Sequence, residues 1–339
     1  MWEIRNKTPF AAAGAFERDT EGREVWSVAI RASFTLETAA TLTPLDPQIE
    51  VRLAPDYIDP DTGELRGEHD IVGFLPGTDL LISGTIQPPR QETMSLPLTL
   101  TLGKLSKHAR LFGPRMAKRG LAGWNISANA PVETTELTWR NSFGGTFHDP
   151  ETGHPANPIG KGWALHYRRK IERDTQVELP RIDHPKDDIL YDYDRTNPIG
   201  FGPISRHWQP RKDLAGTYDD KWEKTRAPKL PKDFDNAFYN TAPSDQIIKG
   251  FAKGGEELTL TGFLPDEILK LRLPQILFTA RTKQRGQPVD TNFNMTRIEI
   301  DLDAKTLSMV WVTHVPCNGD DAGIEYTTLR VKQMSGITV

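Results

Sequence analysis

Asp192, Asp194, Asp219, Asp233 and Asp235 share one stretch of the chain with Trp208, Tyr218 and Trp222. Two carboxyl groups flanking a glycosidic bond, beside aromatic platforms that receive sugar faces, are what glycoside hydrolysis uses. The same residue types also build a packed, hydrogen-bonded loop region. A carbohydrate site and a structural role are therefore both open at this point. Arg206, Arg211 and Arg226 lie among these rings. Guanidinium groups over aromatic faces either stabilise a fold or anchor a partner.

Other chemistries find little support. Asp59-Pro60-Asp61-Thr62-Gly63 and Asp149-Pro150-Glu151-Thr152-Gly153 are alike. Neither has the acidic spacing of a calcium loop, and Pro at the first corner with Gly at the end is turn chemistry. His148 and His154 lack further partners for a zinc site and read as surface histidines. Cys317, the single cysteine, follows an apolar strand pattern and reads as a buried, inert thiol. His314, three residues before it, would point to the other face of that strand. There is no Gly-x-Ser-x-Gly elbow and no Gly-rich loop between a strand and a helix. The reading is a protein without catalytic, cofactor or metal residues.

Composition bounds the rest. The chain has 339 residues, 26 of them Pro and 27 Gly, which favours β-structure with many loops over helix bundles. A net charge of −4 gives no global field for nucleic acid or an anionic membrane, and the basic run from Lys104 to Arg119 reads as a solvated face or loop. Met1 to Phe10 carries no secretory leader pattern and no apolar run reaches membrane-spanning length, so a soluble, cytoplasmic protein is expected.

Alternation with period two marks the elements that must position these residues. From Glu24 to Glu37, Trp26, Val28, Ile30, Ala32, Phe34 and Leu36 alternate with mostly polar residues, which predicts a long strand with one buried and one wet face. Asp19-Thr20-Glu21-Gly22 predicts a hairpin turn to a strand over 11–16. Further strands are predicted over 79–86, 96–102, 105–112, 132–139, 257–261, 297–303, 307–315 and 325–332. Pro97 suggests an edge position or a strand start. Short helices are expected near 162–172 and 245–252. The fold class is mainly β, an antiparallel β-sandwich or barrel-like sheets with a long irregular Pro/Gly/Trp-rich middle. The pattern reads as a single domain over 1–339, with two β-rich subregions, about 1–140 and 255–339, joined by an irregular middle of about 141–254. Whether the late strands complete the early sheet or form their own is open.

The middle repeats itself. Asn157-Pro158-Ile159-Gly160-Lys161-Gly162 returns as Asn197-Pro198-Ile199-Gly200-Phe201-Gly202. Trp208-Gln209-Pro210-Arg211, Gly216-Thr217-Tyr218-Asp219, Trp222 and Leu230-Pro231-Lys232-Asp233-Phe234-Asp235 follow. Irregular backbone of this kind is ordered by specific contacts and commonly forms binding surfaces.

The order of motifs resembles the bacterial type VI secretion effector-adaptor (chaperone) family, long catalogued as a domain of unknown function. The resemblance begins at Asn6-Lys7-Thr8-Pro9-Phe10 and the strand from Trp26 to Phe34. It continues through Asp70, Pro76 to Gly84, Trp139 to Gly145, Asn157 to Gly162 and Leu179-Pro180-Arg181-Ile182. It ends with Trp208, Arg211, Gly216 to Asp219, Trp222, Pro231-x-Asp233-Phe234 and Ala242-Pro243. The chain departs at Arg140-Asn141, where that family carries an acidic-basic pair, and at Gln87-Pro88-Pro89, where it has an Ala-rich, Pro-Gly ending. The resemblance implies a non-enzymatic adaptor that needs no cofactor. It would bind a secreted toxic effector and help load it onto a VgrG spike, often with a PAAR-type tip. Trp208, Arg211, Tyr218, Asp219, Trp222 and Phe234 are the candidate partner-binding residues. The alternative is a carbohydrate-binding or glycoside-hydrolysing protein.

Overall fold

The computed structural model describes residues 2–338 except 73, 90–92, 122, 129, 149–151, 186–195, 266, 318 and 320–322. The alternating segments form strands, and these build a six-, a five- and a four-stranded sheet, with smaller two- and three-stranded sheets beside them. The six-stranded sheet runs, edge to edge, Ile247–Lys249, Gly77–Ser83, Asn294–Asp301, Thr306–Pro316, Glu24–Thr35 and Ala11–Arg18. Its pairings are antiparallel except that Gly77–Ser83 runs parallel to Asn294–Asp301. The five-stranded sheet is antiparallel, in the order Ile182–Asp183, Leu105–Phe112, Ser95–Leu102, Glu257–Leu264 and Glu267–Arg272. The four-stranded sheet runs Glu3–Asn6, Ile324–Ser335, Gln275–Gln284 and Gln287–Asn292, its first pair parallel.

Strands from the start and end of the chain share all three of these sheets. Glu24–Thr35 pairs with Thr306–Pro316, Ser95–Leu102 with Glu257–Leu264, and Glu3–Asn6 with Ile324–Ser335. One apolar cluster joins their inner faces. It contains Phe34, Leu80 and Ile82, then Leu98, Leu100 and Leu260, then Phe278 and Leu329. The period-two pattern supplies that face because successive side chains point to opposite sides of a strand. The fold is mainly β, with two short α-helices among the described residues, Arg211–Leu214 and Asp220–Thr225.

Several expectations change. Residues 132–139 form only the short strand Thr135–Glu136 before a 3-10 turn at Trp139–Asn141. The expected helix at 245–252 is a 3-10 turn over Ser244–Gln246 and then strand Ile247–Lys249, because Gly77–Ser83 offers an open edge. The helix near 162–172 is a kinked 3-10 stretch, Trp163–Lys170. Pro97 lies near the start of Ser95–Leu102, beyond the last pair that strand makes with Glu257–Leu264, so its missing N–H breaks no bond there. The basic run is not all solvated: Lys107 and Arg115 are buried, while Lys104, His108 and Arg110 are exposed. The largest change concerns Glu24–Thr35, which is buried on both faces rather than one.

Leu100 is fully buried in the shared core. Leu100→Ala is expected to lower stability by about 2–5 kcal/mol in urea unfolding, the usual cost of a buried cavity. Leu277→Ala, at an exposed position, should leave the midpoint nearly unchanged.

Candidate partner-binding surface

The polar face of Glu24–Thr35 is lined with charge. Strand register puts Asp79, Arg297, Val310 and Arg31 in one row across neighbouring strands of the sheet. Arg31 donates from Nη1 to Asp70 Oδ2 at 2.9 Å and from Nη2 to Glu299 Oε2 at 2.5 Å. Arg297 Nη1 lies 2.9 Å from Asp70 Oδ1, and Arg52 Nη1 lies 2.9 Å from Glu299 Oε1. Val51 and Ile71 pack with Ala29, Val310 and Val312 on this face, so the chain from Leu45 to Val72 roofs the sheet where water was expected. Gln48 fastens the roof: its amide accepts from Ser33 N–H at 2.8 Å and donates to Ser33 C=O at 3.0 Å. Burial alone would raise the Glu299 carboxyl. The charges of Arg31, Arg52 and Arg297 outweigh burial and hold it well below the usual carboxylate range.

Glu68 carries the charge network into the irregular middle. Its backbone carbonyl accepts from Arg52 and Arg297, and its carboxylate takes the Arg206 fork at 2.7 and 2.9 Å and Arg211 at 3.2 Å. Burial pushes the Glu68 carboxyl up, but the Arg206 hydrogen bonds and the charges of Arg206 and Arg211 hold it at about 2. Asp79 accepts from Asn240 Nδ2 at 2.8 Å, Thr241 N–H at 2.6 Å and Thr241 Oγ1 at 2.9 Å. Burial raises its carboxyl despite these bonds. Lys107 reaches from the five-stranded sheet to Gly200 C=O at 2.6 Å and Asp245 at 2.9 Å. Its ammonium is pushed down to about 8 by burial, against the pull of Asp245.

Both copies of the Asn-Pro-Ile-Gly repeat close on one segment, Trp139 to Phe143. Asn157 is buried and its Nδ2 donates to the carbonyls of Trp139 and Phe143 at 2.9 and 2.8 Å. In the second copy Ile199 N–H bonds Ser142 Oγ at 2.9 Å, while Asn197 is exposed. Gly200 lies against the Trp139 indole so closely that an added Cβ would come within 2.9 Å of the ring. Trp139 in turn donates to Pro203 C=O and packs with Trp208 and Ile204. The repeat is thus one clamp in two parts, with unequal roles for its two asparagines.

The six candidate residues divide by depth. Trp208 is buried, edge-on to Trp139 at 6.3 Å. Arg211 is buried too, donating to the carbonyls of Ile204 and Phe238 as well as to Glu68. The other four lie further out. Tyr218 is 53% exposed and meets Trp222 edge-on at 4.6 Å. Asp219 caps helix Asp220–Thr225 by accepting from Trp222 N–H at 2.7 Å. Phe234, half-buried, packs with Phe238 and Tyr239. Gly216, at φ +80°, lets the chain turn against Pro231 and Phe234, and Asp233 ties the turn through Thr217. Arg226 anchors the module to the Asp19–Gly22 hairpin through Glu21 at 2.7 Å. Asp235 caps the next 3-10 turn by accepting from Ala237 N–H. Asp219, Asp233 and Asp235 therefore each hold a local turn, and Asp192 and Asp194 lie outside the described residues.

The family model described as an uncharacterized protein conserved in bacteria (DUF2169) matches residues 21–312. The chain belongs to that family. No curated protein and no solved structure matches it. The matched span covers the charged sheet face, the repeat clamp and the aromatic module alike.

Smaller sites resolve simply. The Asp59 turn is a hairpin in which the Asp59 side chain accepts from Asp61 N–H at 3.0 Å. Its counterpart at 149–151 lies outside the described residues. His154 is not a surface residue: it sits half-buried between Phe143 and Trp163, and burial pushes its imidazole down to about 4. Cys317 is buried in the core. Among the described residues no group of three His, Cys, Asp or Glu is placed to hold a metal ion, and no helix is long and apolar enough to cross a membrane. Arg31, Arg52, Glu68, Arg297 and Glu299 were not singled out from the sequence. Their only signal was a charged residue, such as Arg31, inside a strand of strong alternation.

Asp70→Asn leaves Arg31 and Arg297 short of a buried counter-charge and is expected to cost about 3–5 kcal/mol in urea unfolding. Glu68 predicts a defined acid limb. Its folded pKa, about 2, lies below its ordinary 4.5, so its contribution is complete above pH 4.5 and is lost as pH falls toward 2. Stability measured against pH should fall through this window in the native chain, and Glu68→Gln should start lower and fall less steeply.

Proposed function

We propose that this protein is a non-enzymatic adaptor that binds a secreted toxic effector and helps load it onto the VgrG or PAAR spike of a bacterial type VI secretion machine. The observation that carries the reading is a partly exposed aromatic module, Tyr218, Trp222 and Phe234, held beside a buried charge network; it falls among the motifs that resemble those of such adaptors. An adaptor needs a surface that keeps its shape without a client and still releases it. Tyr218, Trp222 and Phe234 offer large, partly exposed rings of the kind that dominate protein interfaces. Trp208 and Arg211 support this reading as the struts behind that module, since both are buried. The partners follow from the proposal: an effector, and a spike protein on which it is loaded.

Co-expression with neighbouring genes, followed by tagged purification and mass spectrometry, tests the reading. Recovery of one toxin or spike-tip protein at near-equal stoichiometry is the expected result. Recovery of the chain alone, together with binding on a glycan array, would replace the adaptor by the carbohydrate alternative. Tyr218→Ala should weaken effector capture by about tenfold or more, the scale of an aromatic hot spot, without moving the thermal midpoint. Trp208→Ala should instead destabilise the fold by about 3–5 kcal/mol.

A further inference from the structure

The outer face of the four-stranded sheet carries a separate feature. Strand register places Arg281 beside Thr328 and Asp290, and Thr279 beside Arg330 and Asn292. Lys283 lies beside Tyr326 in the next row. These side chains line an open groove of about 690 Å³. At Thr279 and Asn292 it meets a second hollow of about 180 Å³, whose walls include Phe251, Leu277, Phe293 and Trp311. Leu277 is 44% exposed at this end.

The charge of the groove opposes that of the whole chain. Arg281, Lys283, Arg330, Lys253 and Lys332 line the two hollows against the single carboxylate of Asp290, in a chain of net charge −4. Asp290 is already engaged by Arg281, and Lys283 is paired with Glu325 from the rim. Arg5 stacks on Tyr326 and pairs with Glu3. Among the described residues Arg330, Lys332 and Lys253 have no ion-pair partner. Arg330 and Lys332 follow each other along Ile324–Ser335 toward the apolar hollow. Lys332 is the bulged residue between Val331, opposite Phe278, and Gln333, opposite Leu277, and it lies at the wall of the apolar hollow, next in line after Arg330.

We propose that this groove docks an extended acidic polypeptide segment, with one apolar side chain seated in the hollow beside Leu277 and Phe293. Carboxylates on the segment supply the counter-charges that Arg330, Lys332 and Lys253 lack, and the hollow sets its register. The effector of the adaptor reading is the natural source of the segment, and only that source rests on the reading.

The test is fluorescence anisotropy with a labelled ten-residue peptide of Asp and Glu around one central Phe. Saturable binding is expected, weakened about tenfold or more by the double variant Arg330→Glu/Lys332→Glu with no shift in thermal midpoint. Lys253→Glu, at the other wall of the hollow, should act in the same direction. Replacing the central Phe by Ala should also weaken binding, as should replacing the acidic residues by Asn and Gln. Equal binding by the variants, or equal binding of the neutral peptide, overturns the proposal. Tighter binding of a ten-nucleotide oligothymidine overturns it in favour of a general polyanion surface. Concentration-dependent dimers that the double variant abolishes, without peptide binding, overturn it in favour of a second copy. Peptide binding without effector capture would sink the adaptor reading and leave the groove. Effector capture insensitive to the groove variants, with no peptide binding, would sink the groove alone.

Discussion

The buried pairing of arginines with Glu68, Asp70 and Glu299 is the constraint on which the rest of the architecture depends. Charges out of water are tolerated only when their partners are close and their remaining donors and acceptors are satisfied. Arg31 and Arg297 project from strands of the six-stranded sheet toward Asp70, which lies on a different segment. Once the sheet forms, that face must be roofed by a chain carrying the matching carboxylates. The segment around Gln48, Val51 and Asp70 meets this need with polar and apolar contacts together. Replacing any one partner strands another, so the cluster specifies a single arrangement of roof on sheet.

Glu68 extends the same logic to the irregular middle. The described residues of that region form no long helix or strand, and its backbone is held through Arg206, Arg211, Asn240 and Thr241 to carboxylates on or beside the sheet. Ordering a loop of this kind costs conformational entropy for each residue. Charge-assisted hydrogen bonds in a dry setting offset that cost better than their exposed counterparts. The double clamp on the Trp139 segment and the edge-on packing of Trp139 with Trp208 complete the support. Stiffness of this origin lets the aromatic module stay partly exposed without collapsing.

The two surfaces differ in physical character. The module around Tyr218 and Trp222 is aromatic and stands on irregular backbone. The outer face of the four-stranded sheet is cationic, with an apolar end. The cationic face is part of a sheet joined to the other two through one core, and the aromatic module is tied to the Asp19–Gly22 hairpin of the six-stranded sheet through Arg226 and Glu21.

Much of the strand content was legible in the sequence, because a half-buried strand writes its inner face as alternate apolar residues. Trp26 to Phe34, Leu96 to Leu111 and Ile298 to Val315 all placed those residues in the core. Turn residues were legible too, as at Asp59 and the Asp19–Gly22 hairpin. Sequence alone determined the mainly β class, the hairpins and the presence of an irregular middle rich in Trp and Arg. Only the tertiary structure decided that the polar face of Glu24–Thr35 is buried, that Ile247–Lys249 is a strand, and that Trp208 and Arg211 lie inside while Tyr218 lies outside. The physical reason is that alternation reports whether a residue faces along or against its neighbours. What covers that face comes from partners as distant in the chain as Asp70 is from Arg297, and no local pattern records them.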